Sequence, residues 1–168
     1  MRIVAAAIAV ALSASGAAQA AAPDWTPLSW LVGRWVGEGG GAMLGKGGFS
    51  FLPDNDGHLL IRRNVADYPP QNGKPALHHE DLMVIYREGG ALKATFWDND
   101  DQVIRYAVTA TPQAVVFLSE PAPGPRFRLT YTPTSQGLSG QFEIAPPGAP
   151  DQFKTYLAWT ARRTKLRP

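Results

Sequence analysis

Leu82-Met83-Val84-Ile85-Tyr86-Arg87-Glu88-Gly89-Gly90-Ala91-Leu92-Lys93-Ala94-Thr95-Phe96-Trp97-Asp98 reads as two strands joined by a tight turn. Leu82 to Tyr86 is rich in β-branched and aromatic residues, which suit a pleated, half-buried surface. Glu88-Gly89-Gly90 has the composition of a hairpin turn. The same alternation of strand-like run and turn continues outward in both directions. Asp54-Asn55-Asp56-Gly57 and Asp98-Asn99-Asp100-Asp101 are further turns, and strands are expected near 34–40, 47–53, 58–66, 80–87, 91–98, 102–111, 113–119, 126–132, 137–145 and 153–163. Pro69-Pro70, Pro75, Pro121, Pro123, Pro125, Pro146-Pro147 and Pro150 fall between these runs, where a missing N–H removes no ladder bond.

No run carries the pattern of a ten-residue amphipathic helix, so parallel crossovers are not expected. The fold class that follows is all-β: a single antiparallel up-and-down barrel of about 8–10 strands, closed so that no edge is left exposed. One short helical turn is expected before it, with Thr26 as cap, Pro27 at the first position and Gly33 as terminator. The connection from Asp67 to Leu77, which holds Pro69, Pro70, Asn72, Gly73 and Pro75, is expected to arch over one end of the barrel.

The chain begins Met1-Arg2, continues through unbroken Ala, Ile, Val and Leu from Ile3 to Leu12, and reaches Ala18-Gln19-Ala20. That order of charge, apolar core and small residues predicts a cleavable signal peptide over 1–20 and a barrel domain over 21–168. The apolar run is shorter than the roughly 20 residues that span a bilayer, and no second one exists, so no transmembrane segment is expected. A periplasmic or secreted location is the corresponding expectation. Cysteine is absent, which excludes disulfides, a thiol nucleophile and a lipidated cysteine. The chain has 16 basic and 14 acidic residues, but Arg2 lies in the expected signal and Arg162, Arg163, Lys165 and Arg167 crowd the C-terminus. The body therefore leans acidic, unlike the basic face a nucleic-acid binder presents.

Gly33-Arg34-Trp35, after a helical turn and at the head of the first strand, resembles the opening of lipocalin-type (calycin) barrels. The longer Leu31-Val32-Gly33-Arg34-Trp35-Val36-Gly37-Glu38-Gly39 is similar to the opening of nitrobindin-type barrels, and Leu77-His78-His79-Glu80 resembles an internal segment of theirs. Over residues 27–163 the chain resembles uncharacterised exported bacterial lipocalin-like proteins. The resemblance implies structural roles for Gly33 and Trp35, with the indole closing one barrel end against an arginine of the last strand. Arg162 and Arg163 are the two available, and cation–π stacking is the physical reason. Nitrobindin-type proteins hold haem through a histidine near the C-terminus. Here Phe153 to Thr160 contains none, Tyr156 is a rare kind of iron ligand, and no cofactor is expected.

His78-His79-Glu80-Asp81 is the densest set of metal-ligating types, but alternation on a strand sends His78 with Glu80 to one face and His79 with Asp81 to the other. Two convergent ligands fall short of the three a catalytic zinc needs, so no metal site is expected. The acidic turns lack the twelve-residue calcium loop, and Gly41 to Gly47 lacks the spacing of a phosphate loop. No serine sits in a nucleophile-elbow setting.

The arginines embedded in strands are more informative. Arg62 and Arg63 are adjacent and must face opposite ways; Arg105 precedes Tyr106; Arg128 shares a face with Arg126. An arginine pointing inward beside Tyr106, Tyr131 or Tyr156 offers the geometry that holds a ligand carboxylate. Each arginine can equally face solvent, with its stem along the outer wall. The expected function is binding of a small apolar or amphipathic molecule, with a carboxylate as one form of its polar end. The alternatives are an isomerase or hydrolase using His78 or His79 as acid–base, and a filled barrel without ligand.

Overall fold

A computed structural model of the chain describes residues 21–38, 45–71 and 73–164; the expected signal over 1–20 lies outside them. The strands are β1 (Gly33–Glu38), β2 (Lys46–Asp54), β3 (Leu59–Tyr68), β4 (Leu77–Glu88), β5 (Ala91–Asp98), β6 (Val103–Ala110), β7 (Val115–Ser119), β8 (Arg126–Thr134), β9 (Gly137–Ala145) and β10 (Lys154–Arg163). Each pairs antiparallel with the next, and β10 returns to β1, which closes the barrel. The architecture is the all-β, up-and-down barrel that the run-and-turn pattern implies. Gly89 and Gly90 take φ of 56° and 82°, the left-handed pair that a tight β4–β5 hairpin requires.

Three local readings change. The helical turn is a single 3-10 turn, Thr26–Leu28. Thr26 does not cap it; the Asp24 carboxylate accepts from the Thr26 N–H at 2.9 Å instead. Gly33 opens β1 rather than ending a helix, and β3 and β4 run further than expected, so Tyr68 and Leu77 belong to strands and the connection between them is shorter.

The barrel has a packed end and an open end. Leu28, Leu31, Phe51, Leu60, Ile85, Val115 and Leu138 are fully buried at the packed end. Trp35 lies among them, and its indole Nε1 donates to the Leu31 carbonyl at 2.9 Å. The Arg163 guanidinium stacks over the Trp35 ring, 4.5 Å from its centroid. It donates from Nη2 to the Trp30 carbonyl at 2.7 Å and from Nη1 to that of Val32. Gly33 makes room for this arrangement: a Cβ there would stand 2.2 Å from Arg163 Nη1. Of the two arginines the sequence offers, Arg163 is the one on Trp35. Arg162 points away and pairs with Glu38 at 2.7 Å on the surface.

Trp35→Ala is expected to destabilise the fold by about 3–5 kcal/mol, the range for truncating a buried tryptophan. Arg162→Ala is expected to stay within about 0.5 kcal/mol of wild type, because exposed ion pairs contribute little. Urea unfolding followed by circular dichroism measures both.

Candidate functional site

At the open end the strands enclose a cavity of about 370 Å³. Its wall is apolar and largely aromatic: Phe49, Phe96, Phe127, Leu129, Phe142 and Trp159. Gly140 on β9 leaves the space that the Trp159 indole occupies, since a Cβ there would meet the ring at 2.2 Å. Strand alternation builds the polar floor. Leu60, Arg62, Asn64 and Ala66 face inward from β3, and His79, Asp81, Met83 and Ile85 from β4. Arg62 lies opposite Met83 and Asn64 opposite Asp81, so Arg62 and Asp81 are diagonal neighbours on the inner face.

Arg62 is 5% exposed and Asp81 8%, a buried ion pair. Arg62 donates from Nη1 to Asp81 Oδ1, and from Nε to the Tyr131 hydroxyl at 3.0 Å. Asp81 Oδ2 accepts from Asn64 Nδ2 at 2.9 Å and lies 3.2 Å from His79 Nε2. Burial is the largest single influence and opposes the Arg62 charge, but the Asp81 carboxylate, Tyr131 and Tyr106 together outweigh it and hold the guanidinium pKa above its ordinary value. Burial raises the pKa of the Tyr106 phenol strongly, and of the Tyr131 phenol as well. The floor of the cavity has hydrogen-bonding capacity left over. Tyr106 Oη and Arg62 Nη2 make no hydrogen bond to any described residue, although Tyr106 is only 2% exposed.

The candidate residues therefore divide. Arg62, Tyr106 and Tyr131 converge inside the barrel. Arg63 and Arg105 are exposed, on the strand faces turned away from the cavity. Arg128 is also outside; it grips Glu143 with two bonds of 2.5 and 2.8 Å, lies 4.2 Å from the Phe153 ring centroid, and lowers the Glu143 pKa. Tyr156 sits at a bulge in β10, largely exposed, with its ring edge-on to Phe142 at the cavity lip. Asn64 escaped the sequence reading. Its signal was available, because it is two residues from Arg62 and so on the same strand face.

The histidines part in the same way. His78 is exposed between Asp67 at 2.6 Å and Glu80 at 3.2 Å, and His79 lines the cavity beside Asp81. The hydrogen bonds to these carboxylates raise both imidazole pKa values above the ordinary one. His79, Asp98 and Asp100 bring ligand atoms within 4.8 Å of one another, a convergence the spacing along β4 does not reveal. Asp98 Oδ1 already accepts the Asp100 and Gln102 N–H groups, each at 2.9 Å, and His79 Nε2 is engaged by Asp81. These bonds account for the position of Asp98 and the orientation of His79 without an ion.

The fold and site define a closed β-barrel with an apolar-walled cavity above a polar floor, where the Tyr106 hydroxyl and Arg62 Nη2 face the cavity. No family model matches the chain, and no curated protein matches it.

Asp81→Ala strands the Arg62 charge in the interior and is expected to cost about 3–5 kcal/mol of stability. The double change Arg62→Met with Asp81→Leu is expected to recover most of that, since an apolar pair of similar volume removes both buried charges. Denaturant unfolding of the two variants tests this. In an NMR titration His78 and His79 are expected to titrate above about 6.5, the unperturbed value. Because both folded-state pKa values are raised, their stabilising contribution is complete below the unfolded value and is lost as pH rises through the folded one. Asp81→Asn should lower the His79 midpoint and leave that of His78 in place.

Proposed function

We propose that the protein is an exported, lipocalin-like barrel that carries a small, largely apolar molecule, its polar end on Arg62 and Tyr106. The observation that carries this reading is the cavity of about 370 Å³ whose floor holds two polar groups with unused hydrogen-bonding capacity. Small-molecule pockets begin near about 300 Å³ and combine apolar walls with a few placed polar groups. A filled barrel would leave neither the space nor a buried phenol without a partner. The signal-like residues 1–20 support export. The Gly33-Arg34-Trp35 opening and the Arg163 stack on Trp35 support the lipocalin-like reading.

One observation favours a second reading: His79 and Asp81, 3.2 Å apart on the cavity lining, form the kind of pair that moves protons. His78, on the outer face, has no access to the cavity. A carrier releases its molecule unchanged, whereas an isomerase or hydrolase converts it.

Native mass spectrometry of protein purified from its own host is expected to show a bound organic molecule, with a mature N-terminus at Ala21. Ile104→Trp, which fills the cavity from β6, is expected to abolish that adduct and leave the unfolding midpoint within a few degrees of wild type. An empty wild-type barrel purified this way counts against the proposal.

A further inference from the structure

We infer that the cavity selects a ligand whose polar end is an uncharged oxygen, such as an alcohol, ketone or ester, and rejects the corresponding carboxylate. This rests on the carrier reading and narrows its ligand class.

The charged groups on the lining are few. Lys46 and Arg62 are cationic, Asp81, Asp98 and Asp100 are anionic, and His79 titrates. With His79 neutral the lining has an excess of negative charge, and with His79 protonated the two signs balance. In neither state does the lining carry net positive charge. The one cation at the floor is already matched, because Arg62 Nη1 meets Asp81 Oδ1 and both residues are buried. A ligand carboxylate placed on Arg62 becomes a second buried anion beside Asp81. Two carboxylates sharing a desolvated site repel, and one of them is driven to take a proton. Its own loss of hydration adds a further cost, and Lys46, the other cation on the lining, is exposed at the start of β2 rather than at the floor.

A neutral oxygen meets the opposite situation. Arg62 Nη2 has N–H donors to give, and the Tyr106 hydroxyl donates or accepts. Burial keeps that phenol protonated and therefore able to donate. A carbonyl or hydroxyl oxygen satisfies these groups without adding charge. Both groups border the cavity, so a ligand oxygen there exchanges with solvent as their partner and adds no charge. The apolar wall then takes the rest of the molecule, with Phe96, Phe127, Phe142 and Trp159 as its surface.

The test is calorimetric titration of the wild-type protein near neutral pH with 1-decanol, methyl decanoate and sodium decanoate. The last two share one acyl chain and differ in charge. The alcohol and the ester are expected to bind at least about tenfold more tightly than decanoate, the difference that about 1.4 kcal/mol produces. Asp81→Asn, which leaves the Arg62 charge unmatched, is expected to raise the affinity for decanoate relative to methyl decanoate at least about tenfold. Decanoate binding to wild type as tightly as its ester overturns the selectivity while leaving the carrier reading in place. Binding of none of the three overturns both. If Asp81→Asn does not fold, the comparison of ester and acid on the wild-type protein decides alone.

Discussion

Ten strands joined in sequence have two free edges, and the pairing of β1 with β10 removes both at once. Its register sets Trp35 opposite Arg163 and Glu38 opposite Thr160. Side chains alternate across a sheet, so that choice decides which half of β10 is inside. In the observed register Arg163, Ala161, Trp159 and Leu157 turn inward, which places a guanidinium on Trp35 at one end and an indole in the cavity wall at the other. A slip of one residue would bring Arg162 under Trp35 and send Trp159 to solvent. The closed end and the cavity wall are thus consequences of one seam.

The two ends meet at Tyr131, which is fully buried. Its ring lies edge-on to Phe51, Phe117 and Trp159, with centroids at 5.4, 6.3 and 5.9 Å, so it belongs to the packed interior. Its hydroxyl accepts from Arg62 at 3.0 Å, so it also supports the polar floor. Displacing this ring would loosen the aromatic packing and the guanidinium together. The floor rests on this packed core, the arrangement the proposed carrier site calls for if its donors are to be held in place.

Fold and site were unequally legible in the sequence, for a physical reason. Turns such as Glu88-Gly89-Gly90 and runs such as Leu82 to Tyr86 encode strands locally, and up-and-down order needs only nearest-neighbour pairing. The site depends on which face of each strand points inward, and for charged residues composition does not settle that. Arg62 and Arg105 sit in equally apolar runs, yet Arg62 is inside and Arg105 outside. The difference follows from Leu60 and Tyr106, whose large side chains claim the interior and carry Arg62 in with them while turning Arg105 out. The gathering of His79 with Asp98 and Asp100 was less legible still. It arises across strands, where the Asn99 side chain and backbone tie the turn to His78 and Glu80.

Nothing about barrel stability calls for an ion pair at this position. A buried arginine and aspartate typically do no better than apolar residues of similar volume, because the desolvation of two charges cancels much of their attraction. The neighbouring positions show what packing alone selects: Met83 and Ile85 on β4, Leu60 on β3 and Phe117 on β7, all fully buried. Against that background Arg62, Asp81 and Asn64 break the inner-face pattern together, and Tyr106 adds a hydroxyl that bonds no described residue. Departures from local consistency concentrate where a protein does its work. Here they share one feature: the charges are matched and the hydrogen bonds are not. A site built to hold an ion would leave charge unmatched. This one pairs its charges and leaves donors facing the cavity, and the proposed preference for a neutral oxygen rests on that difference.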